Sequence, residues 1–170
     1  MSDYNLVIKN LRMMQDLSAA VGKALLEREA DISCAESCTG GLLASLLTDV
    51  PGSSAYMKGG VVAYANEVKV ELLGVKPETL AKFGAVSEET AREMAQGIAS
   101  RLGTTVGVGI TGIAGPDGGT ERKPVGRVYV AVCGTEGMQV RANDFLGDRN
   151  DVKLQAVSTA LRMLLDYHMV

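Results

Sequence analysis

The fold class follows from residues 31–50, which read DISCAESCTGGLLASLLTDV. Residues 31–35 form a short and mostly apolar run, which predicts a short buried strand. Residues 37–49 have the pattern of a helix start followed by an apolar helix. Pro51 and Gly52 then end that helix, because both residues favour turns. A buried strand that leads directly into an apolar helix is typical of sheets whose strands are connected by helices.

Helical and strand patterns alternate along most of the remaining chain. Helical patterns cover residues 10–28, 67–73, 77–83, 88–102 and 150–167, and strand patterns cover residues 57–65, 105–111, 126–133 and 139–145. The last two strands are separated by the turn 134–137, which predicts an antiparallel hairpin. Asn66 is a predicted N-cap of its helix. Residues 1–10 are a candidate loose extension.

Together these elements predict an α/β protein. We expect a single three-layer α/β/α sandwich over residues 1–170, with a mixed, mostly parallel sheet that ends in a β-hairpin.

The composition excludes several classes of function. The chain has 170 residues, of which 46% are hydrophobic and 22% charged, as in an ordinary globular domain. Its net charge is −3, so there is no basic excess to neutralise a run of phosphates, and there is no tryptophan for base stacking. We therefore expect no nucleic-acid partner. The longest uncharged apolar stretch, residues 37–48, is too short to span a bilayer, so no membrane association is expected.

Histidine and cysteine usage narrow the chemistry. His168 is the one histidine of the sequence and lies near its C-terminal end, which argues against a Ser-His-Asp triad or a histidine-rich zinc site. An acid–base catalyst would then be Lys, Asp, Glu or Tyr. Cys34, Cys38 and Cys133 are odd in number, which favours reduced thiols and a cytoplasmic setting.

Polar or glycine-rich segments follow three of the predicted strands, at residues 36–41, 64–69 and 111–119. Ligands of such sheets bind beyond the carboxyl ends of the strands, so we expect the three segments to meet there. They supply most of the candidate substrate-binding residues: Cys38, Thr39, Gly40, Asn66, Thr111, Gly112, Ala114 and Gly115, to which Arg149 is added from the start of the last helix.

Ser37 has three interpretations. At a helix start its hydroxyl could be a nucleophile that faces backbone N–H groups, an ordinary N-cap, or part of a phosphate-binding helix N-terminus. Cys38 could be the nucleophile instead, because a helix N-terminus lowers a thiol pKa, but a small buried residue is the simpler interpretation. Lys69 would be the third residue of a helix capped by Asn66, where the dipole favours a neutral amine and hence a general base; a solvated surface charge is the alternative.

The third segment is a long Gly/Pro loop that fits a ligand-binding wall better than a plain surface connection. Gly107, Gly109 and Gly112 match the dinucleotide pattern G-x-G-x-x-G, but within a strand and without a following helix, so we reject that interpretation. Four basic residues could hold an anionic group of a substrate, although isolated basic residues rarely do: Arg122, Lys123, Arg127 and Arg149.

Five ordered motifs resemble one family. They read AESCTGG at 35–41, YANEVK at 64–69, GITGIAGPDGG at 109–119, KPVGRVYVA at 123–131 and FLGDR at 145–149. The chain is similar, from about Leu11 to its end, to the CinA C-terminal domain family, whose characterised members are nicotinamide-nucleotide amidohydrolases.

The resemblance implies an α/β/α sandwich that hydrolyses nicotinamide mononucleotide (NMN) to nicotinate mononucleotide and ammonia, in pyridine nucleotide salvage. It implies Ser37 as catalytic nucleophile, with Tyr64 and Lys69 as relay and base. No metal and no organic cofactor are implied, and homo-oligomers are expected. A non-catalytic nucleotide-binding module of the same fold, and an amidase for another small amide, remain the alternative hypotheses.

Overall fold

The structure is a computed structural model that describes the backbone of residues 2–167 and the side chains of residues 12–167. His168 lies outside the described residues. The helices are α1 (Ser2–Glu27), α2 (Leu42–Thr48), α3 (Asn66–Leu73), α4 (Pro77–Phe83), α5 (Glu88–Leu102) and α6 (Arg149–Asp166), and the strands are β1 (Ile32–Glu36), β2 (Met57–Val62), β3 (Val106–Gly112), β4 (Arg127–Gly134) and β5 (Gly137–Asp144).

The strands form one sheet in the order β2-β1-β3-β4-β5 within the described residues. β1 is parallel to both β2 and β3, whereas β3–β4 and β4–β5 are antiparallel pairs. Two successive antiparallel steps return β5 to the direction of β3, so β4 alone runs against the other strands. The predicted mixed sheet with a terminal hairpin is confirmed.

Helices cover both faces of the sheet, as predicted. On one face α1, α2 and α6 pack against the strands through a large apolar cluster that includes Leu25, Leu43, Val108 and Leu161. On the other face α3, α4 and α5 pack together, and Met94 and Ile98 of α5 lie against the sheet. Side chains of successive strand residues point to opposite faces, so each buried strand contributes to both layers.

The two glycines of β3 explain how closely α5 approaches the sheet. A Cβ built on Gly107 would lie 2.2 Å from the carbonyl oxygen of Ala95, and one on Gly109 would lie 2.3 Å from that of Ala91. The G-x-G spacing therefore serves helix–sheet packing, and the rejection of a dinucleotide fingerprint is confirmed by this placement. The segment before α5 reaches the carboxyl end of β3, where the Thr111 hydroxyl donates to the Ala85 carbonyl at 2.7 Å.

Three predicted boundaries are wrong. α1 begins at Ser2 and not near residue 10, so the predicted start of this helix is wrong. α2 begins at Leu42, because Gly40 and Gly41 adopt left-handed backbone (φ 67 and 94) that a helix cannot include. α3 begins at Asn66 itself, with Ala65 as N-cap, so Asn66 does not cap it. The predicted cap Ser87 is confirmed, since its Oγ accepts the Thr90 N–H at 3.2 Å.

The described helices include none that combines the length and the apolar character needed to cross a bilayer.

Candidate active site

The three segments predicted to meet line one cavity of about 260 Å³ beyond the carboxyl ends of β1, β2 and β3. Ser37 follows β1, Tyr64 and Lys69 follow β2, and Thr111 lies at the end of β3. The sheet itself brings them together, because neighbouring parallel strands end at the same edge.

Ser37 lies in a turn between β1 and α2, and not at the helix start where the sequence predicted it. Its N–H donates to the Ile110 carbonyl at 2.9 Å, which continues the β1–β3 pairing by one residue. Its own carbonyl accepts the Gly40 N–H at 3.2 Å and closes the turn. The serine is 8% exposed, and its hydroxyl faces the amine of Lys69.

Lys69 is a buried lysine, with an exposed fraction of 1%. Its Nζ lies 3.2 Å from the Ser37 Oγ and donates to the carbonyls of Ala63, at 2.7 Å, and Tyr64, at 3.2 Å. Lys69 is therefore not the solvated surface residue of the alternative interpretation. No carboxylate accepts from this amine within the part of the chain that the structure describes, so its charge has no ion-pair partner.

Burial lowers the pKa of Lys69, while Cys38 and Glu67 act in the opposite direction. The sequence predicted this direction but attributed it to the dipole of a helix capped by Asn66. Because α3 begins at Asn66, Lys69 is one residue deeper in the helix, and removal of the amine from water is the main cause.

The contacts of Lys69 fit both of its protonation states, because an ammonium can donate its three N–H groups to the two carbonyls and the Ser37 Oγ. A neutral amine has two N–H donors and one lone pair, and two carbonyls stand in donor range. With those carbonyls accepting, the lone pair is left for the hydroxyl proton of Ser37. The arrangement can therefore take a proton from Ser37 without a histidine.

Glu36 belongs to the predicted segment 36–41, but its role was not predicted. Its buried carboxylate accepts the N–H groups of Gly41 and Leu43 at 3.1 Å and that of Ala44 at 2.9 Å. These are the free amides at the start of α2, so a protein carboxylate already occupies that helix N-terminus. The phosphate-seat interpretation of this helix is thereby wrong. An acid at the end of a buried strand, four residues before Gly40, was the available signal.

The turn contains two backbone N–H groups that no other described residue accepts, and one of them belongs to Cys38 on the cavity wall. The N–H groups of Cys38 and Thr39 donate to no other residue among those described, whereas those of Gly40 and Gly41 are used by Ser37 and Glu36. An oxygen that carries developing negative charge beside Ser37 could accept from the Cys38 N–H.

Cys38 has the features of a small buried residue. Burial raises the pKa of its thiol to about 12, the negative charge of Glu36 adds to the rise, and Arg149 and Lys69 oppose it. A thiol with that pKa is almost entirely protonated near neutral pH, so it is a poor nucleophile.

Tyr64 contributes to the site in two separate ways. Its carbonyl accepts from Lys69, but its side chain is 63% exposed and its phenol accepts the Arg149 Nη2–H at 2.9 Å. Among the described residues the phenol has no hydrogen bond to Ser37 or Lys69. The relay role stays a prediction that would need the ring to turn inward.

Arg149, the first residue of α6, is an exposed residue that lines the cavity. Besides Tyr64, it donates through Nη1 to the Gly115 carbonyl at 2.6 Å. The three other basic candidates do not line the cavity: Lys123 donates to the Phe83 carbonyl, Arg127 pairs with Asp144, and Arg122 lies elsewhere on the loop.

The cavity wall contains most of the predicted substrate-binding residues, namely Cys38, Asn66, Thr111, Gly112, Ala114, Gly115 and Arg149. Thr39 and Gly40 do not line it; Thr39 is fully buried with an unpartnered hydroxyl. Two further wall residues, Ile113 and Asp117, belong to the predicted loop 111–119, whereas Ala85 and Val86 were not predicted. Ala85 and Val86 follow a helix, so the rule about strand ends could not find them.

Within residues 12–167 there is no group of three or more His, Cys, Asp or Glu side chains that could hold a metal ion.

Comparison with known proteins identifies relatives over most of the chain. A CinA-like protein of Cyanothece sp. is 52% identical over 151 residues, which are 87% of this chain and 36% of that protein. The chain spans a little over a third of the length of the curated relatives it matches.

The chain also matches solved structures with the same fold, and each match spans most of both chains. The competence/damage inducible protein CihA from Agrobacterium tumefaciens is 41% identical, with a TM-score of 0.88 over 90% of this chain and 94% of that one. The competence damage-inducible protein A (ComA) from Klebsiella pneumoniae is 37% identical, with a TM-score of 0.87 over 90% and 95%. The model of the CinA C-terminal domain matches residues 14–168, and the chain therefore belongs to that family.

Proposed function

We propose that this chain hydrolyses the carboxamide of NMN to nicotinate mononucleotide and ammonia. The observation that carries the proposal is the buried Lys69 amine 3.2 Å from the Ser37 hydroxyl, at the wall of the cavity. A hydroxyl beside a neutral amine is the pairing that serine–lysine hydrolases use for acyl transfer.

In the first half-reaction the Ser37 Oγ attacks the carboxamide carbon while its proton passes to Lys69. The carbonyl oxygen becomes an oxyanion, for which the N–H of Cys38, a residue that lines the cavity, is the candidate donor. One well-placed donor of this kind contributes roughly 3–4 kcal/mol to transition-state stabilisation. The C–N bond then breaks, the Lys69 ammonium returns the proton to the leaving nitrogen, and ammonia departs from an ester on Ser37.

In the second half-reaction water attacks the ester carbon and gives a proton to Lys69. The ester C–O bond breaks, the proton passes from Lys69 to the Ser37 oxygen, and nicotinate mononucleotide leaves. Lysine and serine end in their starting states, so the cycle needs no co-reactant besides water.

Arg149 is the proposed partner of the substrate's phosphate. Arg149 is an exposed basic residue of the cavity wall, and the bonds of its guanidinium to Gly115 and Tyr64 leave further N–H donors free. Phosphate and guanidinium pair well because two parallel hydrogen bonds can form between them.

The test is ammonia release from NMN by the wild type beside Ser37→Ala. Wild-type turnover that falls to the background in Ser37→Ala supports the proposal, and Ser45→Ala, an exposed serine of α2, is the matched control expected to keep full activity. Turnover that persists undiminished in Ser37→Ala would remove the nucleophile. Binding of NMN to the wild type with no ammonia over hours would favour a non-catalytic nucleotide-binding module.

A further inference from the structure

Three charged residues line the cavity, and they differ in how they are paired. Lys69 is buried and contacts Ser37, and Arg149 bonds Gly115 and Tyr64. Asp117 is exposed on the cavity wall and makes no hydrogen bond or ion pair with another described residue. The site therefore presents one unpaired carboxylate to whatever enters it.

The loop that carries Asp117 is fixed at several points. Ile113 and Gly126 close its base, through the Gly126 N–H to Ile113 carbonyl bond at 2.8 Å and the Ile113 N–H to Arg127 carbonyl bond at 2.9 Å. Arg149 holds the Gly115 carbonyl, two residues before Asp117. The carboxylate thus belongs to a wall of defined position and shares that wall with the guanidinium.

NMN carries two opposite charges that match these two groups. Its phosphate is an anion, and its pyridine ring is a cation because the ring nitrogen bears the ribose. With the phosphate on Arg149, as in the proposed function, the cationic ring lies between Arg149 and Ser37, within the cavity that Asp117 lines. Opposite charges placed in this order favour one orientation of the substrate and oppose the reverse one.

We infer that Asp117 is a specificity residue that recognises the positive charge of the substrate's pyridinium ring. The inference rests on the proposed function for the identity of the substrate. Asp117 would distinguish NMN from its reduced form, which has the same amide, ribose and phosphate but a neutral dihydropyridine ring. At an exposed site a carboxylate about 4 Å from a cation should change affinity on the order of fivefold.

The experiment measures binding, so that it does not depend on turnover. Calorimetry in the Ser37→Ala background gives the Kd of NMN and of reduced NMN, with and without Asp117→Asn. We expect Asp117→Asn to raise the Kd of NMN about fivefold and to leave that of reduced NMN unchanged. Asp117→Glu should retain most of the preference, and added salt should reduce the difference between the two ligands.

Glu121→Gln is the matched control, because Glu121 is an exposed acid of the same loop that does not line the cavity. It should change neither Kd. Equal losses for both ligands in Asp117→Asn, or no loss for either, would overturn the inference. Failure of NMN to bind at all would overturn both the inference and the proposed function, whereas normal binding and discrimination with no ammonia from the Ser37-containing protein would defeat the proposed function alone.

Discussion

Lys69 Nζ lies 3.2 Å from Ser37 Oγ, although 32 residues separate the two in the sequence. One stands in the turn after β1 and the other in α3, and the parallel pairing of β1 with β2 brings these segments to one edge. The Ala63 N–H donates to the carbonyl of Glu36, the residue before Ser37, at 2.8 Å. The Ala63 carbonyl in turn accepts a hydrogen bond from the Lys69 amine. The distance between Ser37 and Lys69 therefore depends on the backbone of the two segments that carry these residues.

Lys69→Met should abolish most of the activity while the protein stays folded. Methionine has a similar length but neither a lone pair nor donors, so it cannot take the Ser37 proton, and loss of a general base costs roughly 10²–10⁴-fold in rate. Lys69→Arg should be equally poor, because a guanidinium keeps its proton. Ammonia release from NMN measures the effect.

Lys82→Met is the control for this pair of variants, since Lys82 is an exposed lysine of α4. It should retain wild-type kcat/KM. Near-normal turnover in Lys69→Met, with its fold verified by circular dichroism, would contradict the assignment of Lys69 as the base.

The pH dependence of kcat/KM should follow the neutral form of Lys69. Burial lowers the pKa of this amine from its ordinary value of 10.5, so kcat/KM should rise with pH through the lowered pKa and then reach a plateau. The Cys38 thiol cannot produce that limb, because its pKa is about 12. A profile that is flat from about pH 5 to 9 with chemistry rate-limiting, or one that falls with rising pH, would count against a neutral lysine.

The free energy of unfolding should also depend on the lowered pKa of Lys69, and the sign of its change with pH can be predicted. The folded-state pKa of Lys69 lies below its unfolded value of 10.5, so between these two pKa values the unfolded chain binds more protons. Its contribution to the free energy of unfolding must then rise with pH across that window and be constant on either side.

The measurement is the difference in unfolding free energy between wild type and Lys69→Met, taken by urea denaturation at several pH values. Other titrating groups cancel in this difference as far as the substitution leaves them unchanged. A difference that falls as the pH rises would mean that the folded protein holds Lys69 in its charged form.

Gly109→Ala should destabilise the protein strongly because its Cβ would meet backbone atoms. The added carbon would lie 2.3 Å from the Ala91 carbonyl oxygen and 2.7 Å from the Ala95 nitrogen, and neither can move without a shift of α5. Overpacking against a fixed partner costs about 3 kcal/mol or more. Chemical denaturation measures the loss.

Gly52→Ala separates close packing from backbone strain. Gly52 has a positive φ of 84, unlike Gly109, and nothing lies within 4 Å of its Cβ position, so backbone strain alone should cost roughly 1–2 kcal/mol. Equal losses in the two variants would show that helix–sheet proximity is not what requires glycine at position 109.

The order of elements was predictable because it depends on local patterns. Alternating apolar periodicities gave the strands, the helices and the final hairpin, and Ser87 and Gly103 marked the two ends of α5 as predicted. The start of α2 was not predictable from Ser37 alone. Ser37 and Thr39 before an apolar run suggest a cap. Because Gly40 and Gly41 have positive φ, however, the helix begins only at Leu42.

The site was predictable in its residues more than in its contacts. A lysine is seldom buried without a carboxylate, so the burial of Lys69 between two carbonyls follows from the tertiary fold and not from its neighbours in sequence. Tyr64 was predicted to act on Lys69, yet its phenol contacts Arg149, 85 residues away. Contacts at that separation depend on how α6 packs, which periodicity does not specify.

Glu36→Gln should reduce both stability and activity, because Glu36 joins the nucleophile turn to α2. The carboxylate accepts three N–H groups through its two oxygens. An amide in its place has one accepting oxygen, and its NH₂ group would face a donor. Leaving a buried donor unsatisfied costs about 1–3 kcal/mol. The same change shifts the backbone that holds Ser37, so kcat/KM for NMN should fall at least about tenfold, since small misplacements of reacting groups are costly.

Glu93→Gln provides a comparison in which a carboxylate supports a helix start away from the cavity. Glu93 of α5 accepts the Lys76 N–H at 2.8 Å and the Thr79 hydroxyl at 2.7 Å, at the N-terminus of α4. Its loss should lower the free energy of unfolding and leave kcat/KM near that of the wild type. If Glu36→Gln and Glu93→Gln lost stability to a similar extent and both kept full activity, Glu36 would be a helix cap without influence on Ser37. A loss of activity confined to Glu36→Gln, measured well below the unfolding transition of either variant, would establish that this carboxylate positions the nucleophile.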